Sequence, residues 1–205
     1  MPVIAVQMAK EEVLRVGWIA YEMVKRATEA MIESDNERIK WVLKHEKNID
    51  EIYHKMEAFL VCIPSEKLSP SDVKTLENLK HLLTDIERVG DHANNLAEFA
   101  EQIKTKKHGL SKYGRNEIRN LSECVLNAYG LALKALKTDS RKFIDKVVEY
   151  EDRIDKLEKN YKINHVNRLK KNICNPELDT IYVETLRNLE RIGDHSYNIA
   201  LSLTF

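Results

Sequence analysis

Apolar residues recur at steps of three and four positions over most of this chain, which is the period of an amphipathic α-helix. No stretch alternates with the two-residue period of a half-buried strand. The apolar stripes are separated by short polar or proline-containing breaks. The pattern therefore predicts an all-α fold of six long helices, near residues 4–33, 36–63, 70–108, 111–137, 140–171 and 175–205.

The breaks between stripes contain residues that cap helices. Ser69 precedes Pro70 at the start of the third stripe, and this order predicts an N-cap followed by the first helical residue. Asp35 and Asp139 stand at equivalent breaks and are predicted caps, and Asn175-Pro176 predicts the start of the last helix. Gly109 follows the third stripe, where a left-handed residue commonly ends a helix.

One polar motif occurs twice, 103 positions apart. Glu87-Arg88-Val89-Gly90-Asp91-His92 is repeated as Glu190-Arg191-Ile192-Gly193-Asp194-His195. Each copy lies in the third helix of three, so the chain is predicted to be an internal duplication. We expect two tandem antiparallel three-helix bundles, with domains 1–108 and 109–205.

Four of the helices carry a pair of acidic residues four positions apart, which places both carboxylates on one helical face. In the second and fifth helices the pair lies within the apolar stripe, at positions that a core would occupy. In the third and sixth helices the pair lies at the edge of the stripe. Antiparallel packing would then bring four carboxylates together in each repeat: Glu46, Asp50, Glu87 and Asp91 in the first, and Glu151, Asp155, Glu190 and Asp194 in the second.

Four carboxylates in a half-buried seam repel one another, and partial burial increases that repulsion. Protonation, a bound multivalent cation or ion pairs could offset it, with Lys47, Arg88, Arg153 and Arg191 as the candidate partners. Oxygen ligands suit magnesium, manganese and ferric iron. A salt-bridged seam without metal is the alternative interpretation of the same residues.

Two further features accompany the acidic pairs. His92 and His195 each follow an aspartate, and each could supply a nitrogen ligand or orient a ligand by a hydrogen bond. A hydrogen-bonded structural histidine is the simpler interpretation. Gly90 and Gly193 lie in mid-helix, where glycine costs about 1 kcal/mol relative to alanine. They predict the close approach of a neighbouring helix or of a bound ion.

Composition narrows the function classes. Lysine plus arginine and aspartate plus glutamate both number 33, so the net charge is zero and favours no nucleic-acid partner. No stretch approaches the roughly 20 apolar residues that cross a bilayer, and no secretory leader is evident. Cys62, Cys124 and Cys174 form no Cys-x-x-Cys pair. These features predict a cytoplasmic location.

The two Glu-Arg-Ile/Val-Gly-Asp-His motifs resemble those of the PhoU family of phosphate-uptake regulators, and the resemblance extends over essentially the whole chain. It implies two tandem three-helix bundles whose acidic motifs hold multinuclear metal clusters, of iron or zinc, with manganese, nickel or magnesium as alternatives. It also implies a non-enzymatic regulator whose partners are a phosphate transporter component and a sensor histidine kinase. Association with the membrane would then be peripheral, and long helices permit a homodimer.

The first 17 residues carry a second resemblance. Pro2–Val6 followed by Ala9–Gly17 is similar to the junction in bacterial Na⁺/phosphate cotransporters, where a PhoU-like domain follows the membrane part. The chain could therefore be the soluble domain of such a transporter.

The two repeats differ at one position close to the acidic motif. Leu201 stands in the second repeat where Glu98 stands in the first. This loss of an acidic neighbour predicts weaker metal binding in the second repeat.

Three other functions compete with the regulator. A di-iron carboxylate protein needs a Glu-x-x-His sequence on two helices, and only Glu51 and His54 provide one. A metal-dependent phosphohydrolase would show His-Asp order, which is reversed here. A metal-free helical scaffold is the third. The sequence contains no glycine-rich phosphate loop, so it does not predict a nucleotide-binding site of that kind.

Overall fold

The protein is described by a computed structural model that covers residues 2–203. The all-α prediction is confirmed, and no strand occurs in that range. Two short 3₁₀ turns, Ser65–Lys67 and Pro176–Leu178, precede the third and sixth helices. The helices are α1 Pro2–Glu33, α2 Asn36–Val61, α3 Pro70–Lys104, α4 Lys112–Thr138, α5 Arg141–Lys170 and α6 Asp179–Leu201.

The helices form two three-helix bundles in tandem, as the duplication predicts. In the first bundle α1 packs against both α2 and α3, and α2 packs against α3. In the second bundle α4, α5 and α6 pack against one another in the same way. The bundles are joined where α1 meets α4 and α3 meets α6. Consequently α2 and α5 lie on the outside, and each contacts the motif-bearing helix of its own repeat.

The predicted apolar stripes form the core. Val16 and Met23 of α1 and Ile86 and Val89 of α3 are fully buried, and Leu189 of α6 matches them in the second repeat. Phe59 lies at a three- or four-residue step along the stripe of α2 but is an exception, because 41% of its surface remains exposed near the end of that helix. No helix within residues 2–203 is both long enough and apolar enough to cross a membrane.

Two of the predicted helix starts are confirmed. The Asp35 carboxylate accepts hydrogen bonds from the backbone N–H groups of Glu37 and Arg38 at the start of α2. The Ser69 hydroxyl accepts one from the N–H of Asp72, with Pro70 as the first helical residue. Such side-chain bonds satisfy N–H groups that the helix itself leaves unpaired.

Three of the other predicted ends differ. Asp139 does not start α5 but ends α4 in a left-handed conformation with φ 51°, which aspartate tolerates better than most residues. No glycine within residues 2–203 has a positive φ, so Gly109 does not adopt the predicted conformation. Asn175-Pro176 starts a 3₁₀ turn, and α6 begins later at Asp179. The predicted end of the last helix at Phe205 lies outside the described residues.

Candidate metal centre

Each of the two motif glycines lies against an isoleucine of the neighbouring helix. A Cβ added at Gly193 would lie 3.1 Å from Cδ1 and 3.2 Å from Cγ2 of Ile154 on α5. At Gly90 the corresponding distance, to Cδ1 of Ile49 on α2, is 3.4 Å. The predicted close approach is therefore made by a helix. Each isoleucine lies directly beside an acidic pair in sequence, so this contact also brings the acidic edges of the two helices together.

Three carboxylates converge in the second repeat. Glu151 and Asp155 of α5 and Asp194 of α6 each offer an oxygen, and these three atoms lie within 4.8 Å of one another. Metal–carboxylate distances are about 2.0–2.2 Å, so two ligands of one ion lie at most about 4.4 Å apart. The observed spacing therefore suits one shared cation after a small adjustment of the side chains. The donor set contains only oxygen, which suits hard and borderline cations.

The electrostatics of the second repeat favour either a proton or a cation. Burial raises the pKa of Glu151, and the neighbouring charge of Asp155 raises it further. Burial and then Asp194 raise the pKa of Glu190 in the same way. Within residues 2–203, Lys159 is the lysine that contacts this group, at 2.8 Å from the Asp155 carboxylate. Burial is thus the main cause of the raised pKa values, and the repulsion between neighbouring carboxylates adds to it.

The first repeat has the same charge pattern with a looser geometry. Burial raises the pKa values of Glu46 and Glu87, and Asp91 raises both further. No group of three ligand atoms as close as that of the second repeat forms here among residues 2–203. Asp50 is 55% exposed and lies 3.3 Å from His54 Nε2, so its predicted position within the core is wrong. Glu46, Glu87 and Asp91 are intermediate in exposure, so this acidic group lies at the edge of the packed helices.

The carboxylate geometry differs between the two repeats, whereas the weaker metal binding expected from Leu201 stays a prediction. The second repeat, which lacks the counterpart of Glu98, has the tighter carboxylate group. It also has a buried acid that the sequence analysis missed: Glu158, one turn beyond Asp155, is only 6% exposed and pairs with Lys162. Glu158 stands three residues after Asp155 and therefore on the same helical face, and this spacing could have identified it from the sequence. Metal occupancy of both repeats stays a prediction.

The arginines of the motifs form only long contacts with the carboxylates. Arg88 lies 3.6 Å from Glu87 and 3.5 Å from Asp91. Arg191 lies 3.7 Å from Glu190 and 3.3 Å from Asp194. Both arginine side chains are more than half exposed, and exposed pairs of this kind contribute little to stability. The salt-bridged alternative is therefore only partly realised within the described residues.

The two histidines of the motifs face the junction of the two repeats. His92 Nδ1 donates to Asn188 Oδ1 on α6 at 2.9 Å. His195 Nδ1 donates to the Asp85 carboxylate on α3 at 2.8 Å. Neither belongs to the three-carboxylate group, although each adjoins an acidic residue of a predicted site.

Asp85 and Asn188 are partners that the sequence analysis missed. Each stands seven residues before the histidine of its own helix, and therefore on the same helical face, which was the available signal.

The residues of the di-iron alternative do not project into a helical core. The Glu51 side chain is 70% exposed and pairs with Lys55 at 3.6 Å. His54 is 67% exposed and contacts Asp50. Di-iron sites in helical bundles require such residues on facing helices of the interior.

Comparison with known proteins identifies the family. The sequence model of the PhoU domain family matches the chain twice, over residues 13–100 and 118–203. These two segments contain all of the candidate ligands. The chain belongs to the PhoU family. The two matched segments correspond to the two three-helix repeats.

Relatives and solved structures agree with this assignment. Two relatives named phosphate-specific transport system accessory protein PhoU homologs come from Pseudomonas putida and Thermotoga maritima. The first is 26% identical over 93% of this chain and 74% of the relative, and the second is 25% identical over 94% and 82%. The relatives are named accessory proteins, and the cotransporter interpretation stays a prediction.

Two crystal structures show the same fold. PhoU from Pseudomonas aeruginosa has a TM-score of 0.88 at 23% identity and covers 98% of this chain and 95% of its own. The PhoU regulatory protein of Streptococcus pneumoniae has a TM-score of 0.88 at 18% identity, with coverages of 99% and 95%.

Proposed function

We propose that this PhoU-family protein regulates phosphate uptake through a metal-dependent interaction with a phosphate transporter. The names of its relatives support the regulatory role in phosphate transport. The finer claim, that a metal ion takes part in the contact, is supported by one observation. Three carboxylates of α5 and α6 converge at the surface of the second repeat, and within residues 2–203 a cationic side chain pairs with Asp155 and with Asp194 but not with Glu151.

The open position of this group favours binding to a partner over catalysis. Asp155 and Asp194 are 35% and 34% exposed, so a cation between them would face solvent. Three ligands leave coordination positions of a six-coordinate ion free. An acidic side chain of a partner, or phosphate, could fill them. We therefore propose a non-enzymatic coupler at the cytoplasmic face of the transporter, with iron or zinc as the first candidate metals.

Other partners follow from the family resemblance alone. A sensor histidine kinase is proposed on that basis, and a second copy of this chain is proposed because long helices permit a homodimer. The first repeat is proposed to hold its own ion between Glu46, Glu87 and Asp91. The transporter contact is the first to test, because the names of the relatives refer to it.

The test measures retention of the purified protein by the cytoplasmic components of the phosphate transporter of the same organism, with added manganese or zinc and then with chelator. We expect retention with metal and loss with chelator. The variant Glu151→Gln with Asp194→Asn should lose retention while keeping its helicity.

A matched control is Asp145→Asn with Glu149→Gln. These two exposed acidic residues of α5 are four positions apart, as Glu151 and Asp155 are. It should bind like the unchanged protein. Retention that is insensitive to chelator and to the Glu151/Asp194 changes would refute the metal-dependent contact.

A further inference from the structure

A cysteine, a histidine and an aspartate are aligned at the end of the second repeat remote from the motif. After α5 the chain turns at Asn172, which has a positive φ of 54°. The turn brings Cys174 back against α5, where its Sγ lies 3.9 Å from His165 Nδ1. The opposite ring nitrogen, Nε2, lies 2.9 Å from the carboxylate of Asp179 at the start of α6. The ring is stacked on Tyr182, with centroids 4.3 Å apart.

The carboxylate determines which nitrogen of His165 carries the proton. An ionised carboxylate can only accept, so Nε2 is the protonated nitrogen and donates to Asp179. Nδ1 of the neutral ring then presents its lone pair to the Cys174 thiol. A nucleophile, a base and a group that orients the base are thus arranged in series, which is the general requirement for an activated nucleophile.

Burial keeps both partners neutral at rest, because it disfavours the charged form of each. Burial lowers the pKa of His165, although Asp179 and Glu117 oppose that shift, and Arg168 adds to it. Burial raises the pKa of the Cys174 thiol, while the Arg168 guanidinium lowers it. The imidazole is therefore available as a base near neutral pH. The thiol proton leaves only as the sulfur reacts.

Arg168 is held beside the thiol by a second set of contacts. Its guanidinium donates to the Glu117 carboxylate at 3.0 and 2.6 Å, and the Tyr182 hydroxyl donates to the same carboxylate. Arg168 is 9% exposed, and its buried Nε has no hydrogen-bond partner within the described residues. From this position the Arg168 guanidinium lowers the pKa of the Cys174 thiol and so favours a developing thiolate, although Glu117 shares its charge.

The other two cysteines provide a comparison within the same chain. Cys62 follows α2 and is exposed, whereas Cys124 lies buried on α4 with 4% of its surface exposed. Cys174 is intermediate in exposure. Exposure alone would make Cys62 the most reactive thiol, so the histidine beside Cys174 leads to a different expectation.

We propose that Cys174 is a site of S-thiolation by small disulfides, with His165 as the base and Asp179 as the residue that orients it. The thiol proton moves to His165 Nδ1 while Sγ attacks one sulfur of the disulfide. A new S–S bond forms, the original S–S bond breaks, and the leaving thiolate takes the proton from His165. The products are a mixed disulfide at Cys174 and one equivalent of free thiol, so the cysteine is oxidised and the disulfide is reduced.

The test treats the intact protein with glutathione disulfide and follows each cysteine by peptide mass spectrometry. We expect Cys174 to react about tenfold faster than Cys62 near neutral pH, a modest share of what a positioned base can contribute. Its rate should change little between about pH 7 and pH 8, because the base is already neutral. A thiol without a positioned base reacts only as its thiolate, so the Cys62 rate should rise by up to about tenfold over that interval.

The deciding variant is Asp179→Asn, whose side chain is half exposed and whose loss should leave the fold intact. An amide can donate to Nε2, which moves the ring proton to Nδ1 and removes the base. We expect the Cys174 rate to fall about tenfold and the Cys62 rate to stay unchanged. The control Glu177→Gln removes a charge from the same turn without touching His165. Equal rates for Cys174 and Cys62, or an unchanged rate in Asp179→Asn, would overturn the proposal.

Discussion

The imidazole rings of His92 and His195 lie with their centroids 5.6 Å apart, although 103 residues separate them in the chain. Each ring is hydrogen-bonded to the helix of the other repeat, to Asn188 and Asp85 respectively. The two repeats are thus joined by a crossed pair of equivalent contacts. Since each histidine adjoins an aspartate of its own acidic site, the junction and the candidate metal sites share one turn of helix.

The contact of His195 with Asp85 should contribute measurably to stability. Both side chains are only 19% exposed, and His195→Ala leaves a largely buried carboxylate without its donor. We expect a loss of about 1–3 kcal/mol in the free energy of unfolding. Urea denaturation of the metal-free protein measures it.

The matched control is His81→Ala, an exposed histidine on α3, for which a change within about 0.5 kcal/mol is expected. A double-mutant cycle with Asp85→Ala separates the pair from the individual side chains. A coupling of zero would show that the crossed contacts do not hold the repeats together.

The two motif glycines should respond differently to alanine. Alanine gains about 1 kcal/mol of helix propensity at either site. At Gly193 the new Cβ would lie 3.1 Å from Ile154, and overpacking of this kind costs about 1–3 kcal/mol. At Gly90 the nearest atom of Ile49 is 3.4 Å away and can yield.

We therefore expect Gly193→Ala to lower the denaturation midpoint and Gly90→Ala to leave it equal or higher. The two variants serve as controls for each other. The opposite order of midpoints would contradict the packing described here.

The acidic seam of the second repeat, which contains Glu151 and Glu190, should lower the free energy of unfolding of the metal-free protein as the pH rises. Folding raises the pKa values of Glu151 and Glu190, so the folded state binds more protons than the unfolded state between the unfolded and folded pKa values. Stability then falls as the pH rises through that window and stays lower above it. Denaturation in chelator at a series of pH values measures this slope.

Replacing both glutamates by glutamine removes the titrating groups, and the slope should become flatter. The control is Glu149→Gln, an exposed glutamate on the same helix. Identical slopes in the unchanged protein and in the double variant would show that the seam carries no such strain.

Much of the fold could be predicted from the sequence. The three- and four-residue period of α3, with Leu79 and Ile86 in its stripe, corresponds to buried positions because a helix packs along one face. The repeated Gly-Asp-His motif identified the duplication, since both copies lie at equivalent places of packed helices. The glycines also predicted a close helix contact, which Ile154 and Ile49 make.

The orientation of the polar side chains could not be predicted in the same way. Successive residues on a helix point about 100° apart, so Asp91 and His92 face different neighbours, and the period does not say which helix lies on either side. The rings of His92 and His195 turned out to face each other across the repeats. The cluster at Cys174 depends on a left-handed turn at Asn172, which joins residues from three segments. No periodic pattern contains that information.

The central claim is that the converging carboxylates hold metal, and elemental analysis of the untagged protein purified without chelator tests it most directly. Three proteins are compared: the unchanged chain, Glu87→Gln with Asp91→Asn, and Glu151→Gln with Asp194→Asn. Circular dichroism is used to check that all three proteins keep their helices.

We predict at least one equivalent of iron, zinc, manganese or nickel per unchanged chain. Each double variant should lose the metal that is bound by the repeat in which its substitutions lie. Absence of metal from all three proteins, even after reconstitution with these ions, would contradict the claim and leave a helical scaffold whose acidic seam is structural.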